Sequence, residues 1–417
     1  MTIKSLNMMI LIIFLMGLCI LMLSYPGAYF AAALRGLTIW WDVLFPSLFP
    51  FFIISEVLLG FGIVHLIGTL LDPFMKPLFR IPGSGGFVVA MGYVSGYPIG
   101  ARLTAKLWEQ KMISRDAGER LVAFTTSSDP IFLIGAVSIG FFHDSSIVPI
   151  LAIAHYGGGL LIGFLMRFHG SRLETQVHTL KPPFPMFSLK RLKYAFRSMH
   201  NARMKDGRTL GELLFQAVQS SFQLIIVVGG LVVFFSVFLE LMTQARIMSG
   251  LHWMIEQGLR IAGLPESLSE SLVGGLFEVT LGARSAGETS SAPLQYKVAA
   301  AAFALSWGGL SVHAQIASIL HSTNLRYLPF MIARFIHGVI ATILVLLLWD
   351  VFMPAADVMS TFHTFGSQTL PNLISTPGGF TAILFLLVII LILMVILSLL
   401  YSMLIEIWWQ LRRFINK

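Results

Sequence analysis

Apolar residues along this chain gather into long runs, 7–25, 43–64, 222–242, 330–349 and 379–402. Each is about as long as the ~20 residues needed to cross a hydrocarbon core, so the runs predict bilayer-spanning helices. Two further stretches, 120–142 and 298–320, read as spans broken by polar residues, and 147–167 completes the set. Segments 83–107 and 265–289 are too rich in Gly, Pro, Ser and charge to cross as ordinary helices. They predict re-entrant hairpins of two half-helices, because irregular backbone is tolerated at membrane depth only where protein or a water-filled cavity covers it.

The pattern occurs twice. At a single offset of 182 residues, Gly100-Ala101-Arg102 falls on Gly282-Ala283-Arg284 and His155 falls on His337. At the same offset the break Thr125-Thr126-Ser127-Ser128-Asp129-Pro130 falls on Trp307-Gly308-Gly309-Leu310-Ser311-Val312. Three matches without a gap, each in the same kind of segment, indicate an internal duplication. With hairpins that return to the side they entered from, each copy contributes three crossings, and an odd number makes the copies inverted. The expected architecture is all-α and polytopic, with about eight transmembrane helices and two re-entrant hairpins. Its divisions are 1–37, a first span and amphipathic connector; 38–167, the first copy; 168–213, a basic loop; 214–350, the second copy; 351–378, a loop; and 379–417, a final span.

Composition agrees with a membrane protein. Hydrophobic residues make up 56% of the chain and charged residues 12%, too few to cover a water-facing surface that normally carries ~25%. The net charge of +8 comes from loops rather than from a nucleic-acid face, and ten Lys/Arg lie between Arg167 and Arg208. Loops expected inside hold 22 Lys/Arg; the outside segments hold Arg35, Arg246, Arg260, Arg284 and Lys297, and Arg334 falls within a span. That bias places both termini in the cytoplasm, with anionic lipid headgroups as the partner of the basic loop and no nucleic acid. No A-x-A-like site follows the first run cleanly, so an uncleaved span is expected there. Cys19, the only cysteine, excludes a disulfide framework or thiol-based metal site; no metal and no cofactor are expected.

A broken helix leaves backbone N–H and C=O groups without partners, and these can bind a solute that has lost its water. The first hairpin tip, Gly92 to Arg102, combines glycines that permit close approach with the hydroxyls of Ser95 and Tyr97; Gly96 and Gly100 serve either a ligand or helix packing. In the first break, Thr126, Ser127 and Ser128 precede Asp129, a carboxylate that either couples a proton or cation or caps the second half-helix. The second copy supplies Glu278 and Thr280 at its tip and Ser306 and Ser311 at its break. Arg102 and Arg284 suit an anionic substrate or snorkel to the interface. His155 and His337 suit a proton relay or a packing role.

The runs Ser95 to Ala105, Glu119 to Pro130, Gly135 to Phe142, Leu276 to Gly282 and Ala304 to His313 resemble the YlbJ (SpoVV) family of sporulation integral membrane proteins. The resemblance spans roughly residues 30–350. It implies a gate-domain protein similar to concentrative nucleoside transporters and to the gate of ferrous-iron permeases. It further implies a carrier that moves dipicolinic acid out of the mother cell toward the forespore, in the outer forespore membrane. Asp129 stands where that family commonly has Asn before the proline.

A carrier of a small anionic solute, with a proton or cation as coupling partner, accounts for the repeat, the hairpins and the carboxylates together. Its rivals are a nucleoside-type carrier, a non-transporting sporulation membrane protein that forms oligomers or gates through a partner, and an enzyme with Ser95 or Ser128 activated by a histidine. No G-x-S-x-G or HExxH motif supports the enzyme. The topology is open to direct test: single cysteines introduced at 170–210 should be shielded from an impermeant thiol reagent in intact cells, and those at 355–375 should react. Labelling of both from one side would overturn the inverted arrangement.

Overall fold

The computed structural model describes residues 3–170 and 189–353, and every regular element among them is a helix. The expected span 379–402, and with it the loop 354–378 and residues 171–188 of the basic loop, lie outside the described residues.

Two helices lead in, α1 (Ile3–Ser24) and α2 (Pro26–Thr38), and a π-turn over Ile39–Leu44 joins α2 to the first copy. That copy runs α3 (Phe45–Gly60), α4 (Ile63–Phe79), the hairpin α5 (Gly85–Ser95) and α6 (Ile99–Glu109), then α7 (Arg115–Thr125), the π-helical α8 (Phe132–Phe141) and α9 (Ser145–Met166). After α10 (Leu189–Asp206), the second copy repeats the order: α11 (Leu210–Gln244), α12 (Met248–Ile261), the hairpin α13 (Ser269–Phe277) and α14 (Val279–Glu288), α15 (Leu294–Trp307), α16 (Gly309–Leu320) and α17 (Tyr327–Phe352). Both hairpins and both breaks stand where the sequence places them. Short amphipathic helices between long span and hairpin, α4 and α12, are an addition to what was expected.

Four stretches, Ser145–Met166, Leu210–Gln244, Leu294–Leu320 and Tyr327–Phe352, are long and apolar enough to cross a bilayer. Two pairs reach that length only together, Ile12–Ser24 with Pro26–Asp42 across a 104° bend and Leu48–Gly60 with Ile63–Phe79 across an 83° bend. Four to six spans among the described residues is fewer than eight for two physical reasons. One expected span lies outside them. Another, 120–142, is divided: α7 ends at Thr125, and its apolar continuation α8 has only 10 residues.

Local chemistry explains the boundaries. Ser114 caps α7 by accepting the Ala117 N–H, and Thr209 with Glu212 forms a reciprocal capping box at the start of α11. Asp206, the last residue of α10, is held below the usual carboxylate range by hydrogen bonds from the Arg208 guanidinium. Pro130 removes a backbone donor just after Asp129, so α7 cannot continue into α8. In the second copy Gly308 and Gly309 both have positive φ, 88° and 70°, which ends α15 and restarts α16 without a proline.

α7 is buried from Asp116 through Thr125 despite carrying Asp116, Glu119 and Arg120. Its charges are used to bind the copies together. Glu119 accepts the Arg326 side chain at 2.9 and 2.8 Å, the Arg326 backbone N–H at 3.0 Å and His169 Nε2 at 2.6 Å, so the loop before α17 is clamped onto α7. Arg120, alongside, donates to the carbonyls of Arg80 and His169.

Replacing Glu119 by Gln strands these donors. The expected loss is about 2 kcal/mol, below the ~3–5 of a fully enclosed pair because Arg326 can turn to water. Arg115→Ala, which removes only a 3.8 Å surface contact to the same carboxylate, should cost less than about 1 kcal/mol. Thermal unfolding of the two variants in detergent compares them; equal stability would show that the clamp contributes nothing.

Candidate functional site

In each copy the hairpin tip lies against the break of the broken span, and a glycine makes the approach possible. A β-carbon on Gly96 would stand 3.0 Å from the backbone nitrogen and Oδ2 of Asp129. A β-carbon on Gly309 would stand 2.9 Å from the backbone nitrogen of Glu278 and the carbonyl of Phe277. Both glycines have positive φ, 73° and 70°. At the offset of 182, Gly96 corresponds to Glu278 and Asp129 to Ser311, so the two crossings are built from exchanged parts. The first has its glycine on the tip and its carboxylate on the break; the second has the reverse.

Each carboxylate caps the half-helix that follows it. Asp129 Oδ1 accepts the Phe132 N–H at 2.9 Å, and Glu278 Oε2 accepts the Leu281 N–H at 2.8 Å. Capping and ligand binding remain compatible, since both carboxylates also face a cavity of about 30 Å3 between the crossings, together with Tyr97, Thr280, Ser311 and Gln315. That volume is one water's share of liquid. An organic solute does not fit in that volume.

Two hydroxyls that line the cavity, those of Tyr97 and Ser311, are buried and make no hydrogen bond. The hydroxyls of Ser95, Tyr93, Tyr156 and Ser128 are likewise buried without a partner, outside its lining, with Ser128 close to Tyr97. Buried hydroxyls left unsatisfied cost about 1–3 kcal/mol each, which makes a cluster of them a feature requiring a ligand or water.

Behind this cluster lies Arg334, 0% exposed. Its Nη1 contacts His337 Nδ1 at 2.9 Å and its Nη2 donates to the Leu305 carbonyl at 3.3 Å, while Nε has no partner. No carboxylate lies within 4.0 Å of it among the described residues. Tyr97 lies within electrostatic reach of Arg334, Asp129 and Glu278 alike. Sequence reading located Arg334 in a span without giving it a role, although a lone intramembrane cation three residues before a histidine is itself a signal.

His155 and His337 stack at 5.3 Å between ring centroids. Equivalent residues that touch one another lie on the axis relating the two copies. Their hydrogen bonds fix both rings as neutral tautomers. His337 Nε2 donates to the His155 carbonyl at 2.7 Å, which leaves Nδ1 to accept from Arg334. His155 Nε2 accepts the Ser128 N–H at 3.0 Å and meets the Ser127 hydroxyl at 2.9 Å, which leaves Nδ1–H for Ser306 at 2.9 Å. The pair braces break 1 against α15 and α17. The Ser127–His155 contact has no carboxylate behind it.

Other residues singled out from sequence stand apart. Thr126 turns back to the Val122 carbonyl. A β-carbon on Gly100 would meet the Thr125 carbonyl at 2.5 Å, so this glycine serves helix packing. Arg102 pairs with Glu56 at 3.0 Å and donates to Ser220 at 2.8 Å, whereas Arg284 is a surface residue paired with Glu288 at 2.7 Å. Neither arginine lines the cavity. Asp116, Glu119 and His169 bring ligand atoms within 4.8 Å of one another, but Arg326 already occupies both oxygens of Glu119.

Residues 41–137, which contain the first tip and break, match the Gate family, described as nucleoside recognition. The sporulation integral membrane protein YlbJ of Bacillus subtilis is 44% identical over 350 residues, 84% of this chain and 84% of its own. The chain belongs to the YlbJ family. A more distant relative, an uncharacterized protein of Alkalihalophilus pseudofirmus, is 26% identical over 132 residues, 31% of this chain and 27% of its own. No solved structure matches. Membership of the YlbJ family and the apolar helices identify an integral membrane protein.

The two crossings give this YlbJ-family chain a sharp dependence on single glycines. Gly309→Ala combines a left-handed backbone with a clash against the other strand of the crossing, and should cost about 2 kcal/mol or more. Gly135→Ala in α8 meets nothing within 4 Å and should be neutral in the same melting assay. Equal unfolding temperatures would mean that the tip–break contact is not tight.

Proposed function

We propose that this protein is a membrane carrier of a small organic anion, and that its solute is dipicolinic acid moved from the mother cell toward the forespore. The observation that carries the reading is the cavity between the two tip–break crossings, lined by two carboxylates and by the partnerless hydroxyls of Tyr97 and Ser311. A site at the meeting of broken helices is the recurring arrangement of secondary transporters.

Anion recognition is supported by Arg334, a buried guanidinium without a carboxylate that stands outside the cavity lining but acts on it through Tyr97, and by hydroxyls that donate without adding full charge. Asp129 and Glu278 oppose it, because two ionised carboxylates would repel a dianion entering the same cavity. The solute is therefore bound with those carboxylates protonated or with a co-transported cation. Their position makes them the coupling groups. A nucleoside is the second reading, favoured by the description of the family matched over residues 41–137. The Ser127–His155 contact has no carboxylate behind the ring, and His155 Nε2 is already taken by the Ser128 N–H, so transport accounts for the site better than catalysis does.

Calorimetry and proteoliposome uptake with purified protein test this. Dipicolinate should bind and be taken up, more tightly as the pH is lowered mildly or on adding the coupling cation. Asp129→Asn with Glu278→Gln should abolish that pH dependence, and Arg334→Gln should weaken binding at least tenfold. Tight binding of uridine with no binding of dipicolinate would replace the anion by a nucleoside.

A further inference from the structure

We propose that a second, separate pocket on the basic end of the molecule binds a phosphate group, supplied by an anionic phospholipid headgroup. The pocket has a volume of about 320 Å3 and is enclosed by α4, the loop into α5, the turn between α6 and α7, and α10. Its polar walls are His65, Asp72, Lys76, Ser84, Lys111 and Ser198.

Charge in the pocket is not balanced. Asp72 is neutralised by Lys76 at 2.6 Å and also accepts the Gly83 N–H at 2.9 Å. Lys111, in contrast, has no carboxylate within 4.0 Å of its ammonium among the described residues. His65 Nδ1 is buried without a hydrogen-bond partner. The pocket thus holds one unpaired cation, one unpaired ring nitrogen and the hydroxyls of Ser84 and Ser198, a donor set suited to the oxygens of a phosphate.

Its position selects a lipid as the source. α10 contributes Tyr194 and Ser198 to the pocket wall and is tied to α4 by Arg191, whose Nε and Nη2 both donate to the Thr69 carbonyl at 2.9 and 2.7 Å. The same helix carries Lys190, Lys193, Arg197, Arg203 and Lys205 and exposes Leu189, Leu192, Phe196 and Met204. Cations beside exposed apolar side chains on one helix are the signature of a helix lying in the headgroup layer, and the pocket opens beneath it.

The second copy does not repeat these charges: at the repeat offset His65 corresponds to Ile247, Asp72 to Met254, Lys76 to Gly258 and Lys111 to Pro293. The inference is independent of the solute carried at the central cavity.

Purified full-length protein in neutral detergent is titrated with short-chain phosphatidic acid, short-chain phosphatidylcholine and inorganic phosphate, with binding read by native mass spectrometry and thermal shift. Phosphatidic acid should bind and raise the melting temperature, and Lys111→Gln should reduce its affinity at least fivefold. Ser198→Phe, which fills the pocket without removing charge, should do the same, while Lys297→Gln, a lysine over the Phe142 ring, should change nothing. Inorganic phosphate that binds and competes would support the phosphate site while reassigning its source to a free anion. Phosphatidic acid binding that survives both Lys111→Gln and Ser198→Phe would overturn the proposal.

Discussion

A polypeptide interrupted at membrane depth must find partners for its freed backbone groups inside the protein, because the surrounding hydrocarbon offers none. Much of this structure answers that requirement. The first break is held by the His155 ring, which takes the Ser128 N–H, and by Asp129, which caps α8. The second is held by glycines at positive φ, by the Trp307 indole, which donates to the Leu276 carbonyl of the opposing tip, and by the His313 ring, which meets the Trp307 carbonyl. Each solution brings a polar group to the centre, so the same constraint that stabilises the breaks also assembles the site.

The architecture was legible because duplicated segments share an offset. Hairpins, breaks and the histidine pair all keep the spacing of 182, and His155 does meet His337. Environment was less legible than position. Arg102 and Arg284 are equivalent in the chain, yet one is tied to Glu56 and the other is exposed, because only the first copy faces α11 at that point. Gly100 reads the same whether it approaches a ligand or a carbonyl, and only the packing against Thr125 distinguishes the two. α4 carries Pro73 and Pro77, which in sequence argue against helix, although each is accommodated within it. A single arginine inside an apolar run, as at Arg334, gives no indication of what it faces.

The exchanged carboxylates show how far the copies have diverged without losing their geometry. A side chain at the tip of one copy and at the break of the other reaches the same cavity, since tip and break touch. Two acids are thereby kept, one per copy, while each crossing retains the glycine that lets its backbones meet. A carboxylate at all four positions would crowd the crossings and gather too much charge for one small cavity to desolvate.

Divergence is also visible at the clamp between Glu119 and Arg326. At the repeat offset, Glu119 corresponds to Ala301 and Arg326 to Asp144, so the second copy has no counterpart. In a carrier whose two faces open alternately, such a bond raises the barrier to opening on its own side and leaves the other untouched. The two half-cycles then run at different speeds. Microscopic reversibility forbids this from setting the net direction of flow, which the gradients alone determine; under the carrier function proposed above, the clamp would govern which face waits closed between turnovers, and hence from which compartment the resting protein would sample its solute.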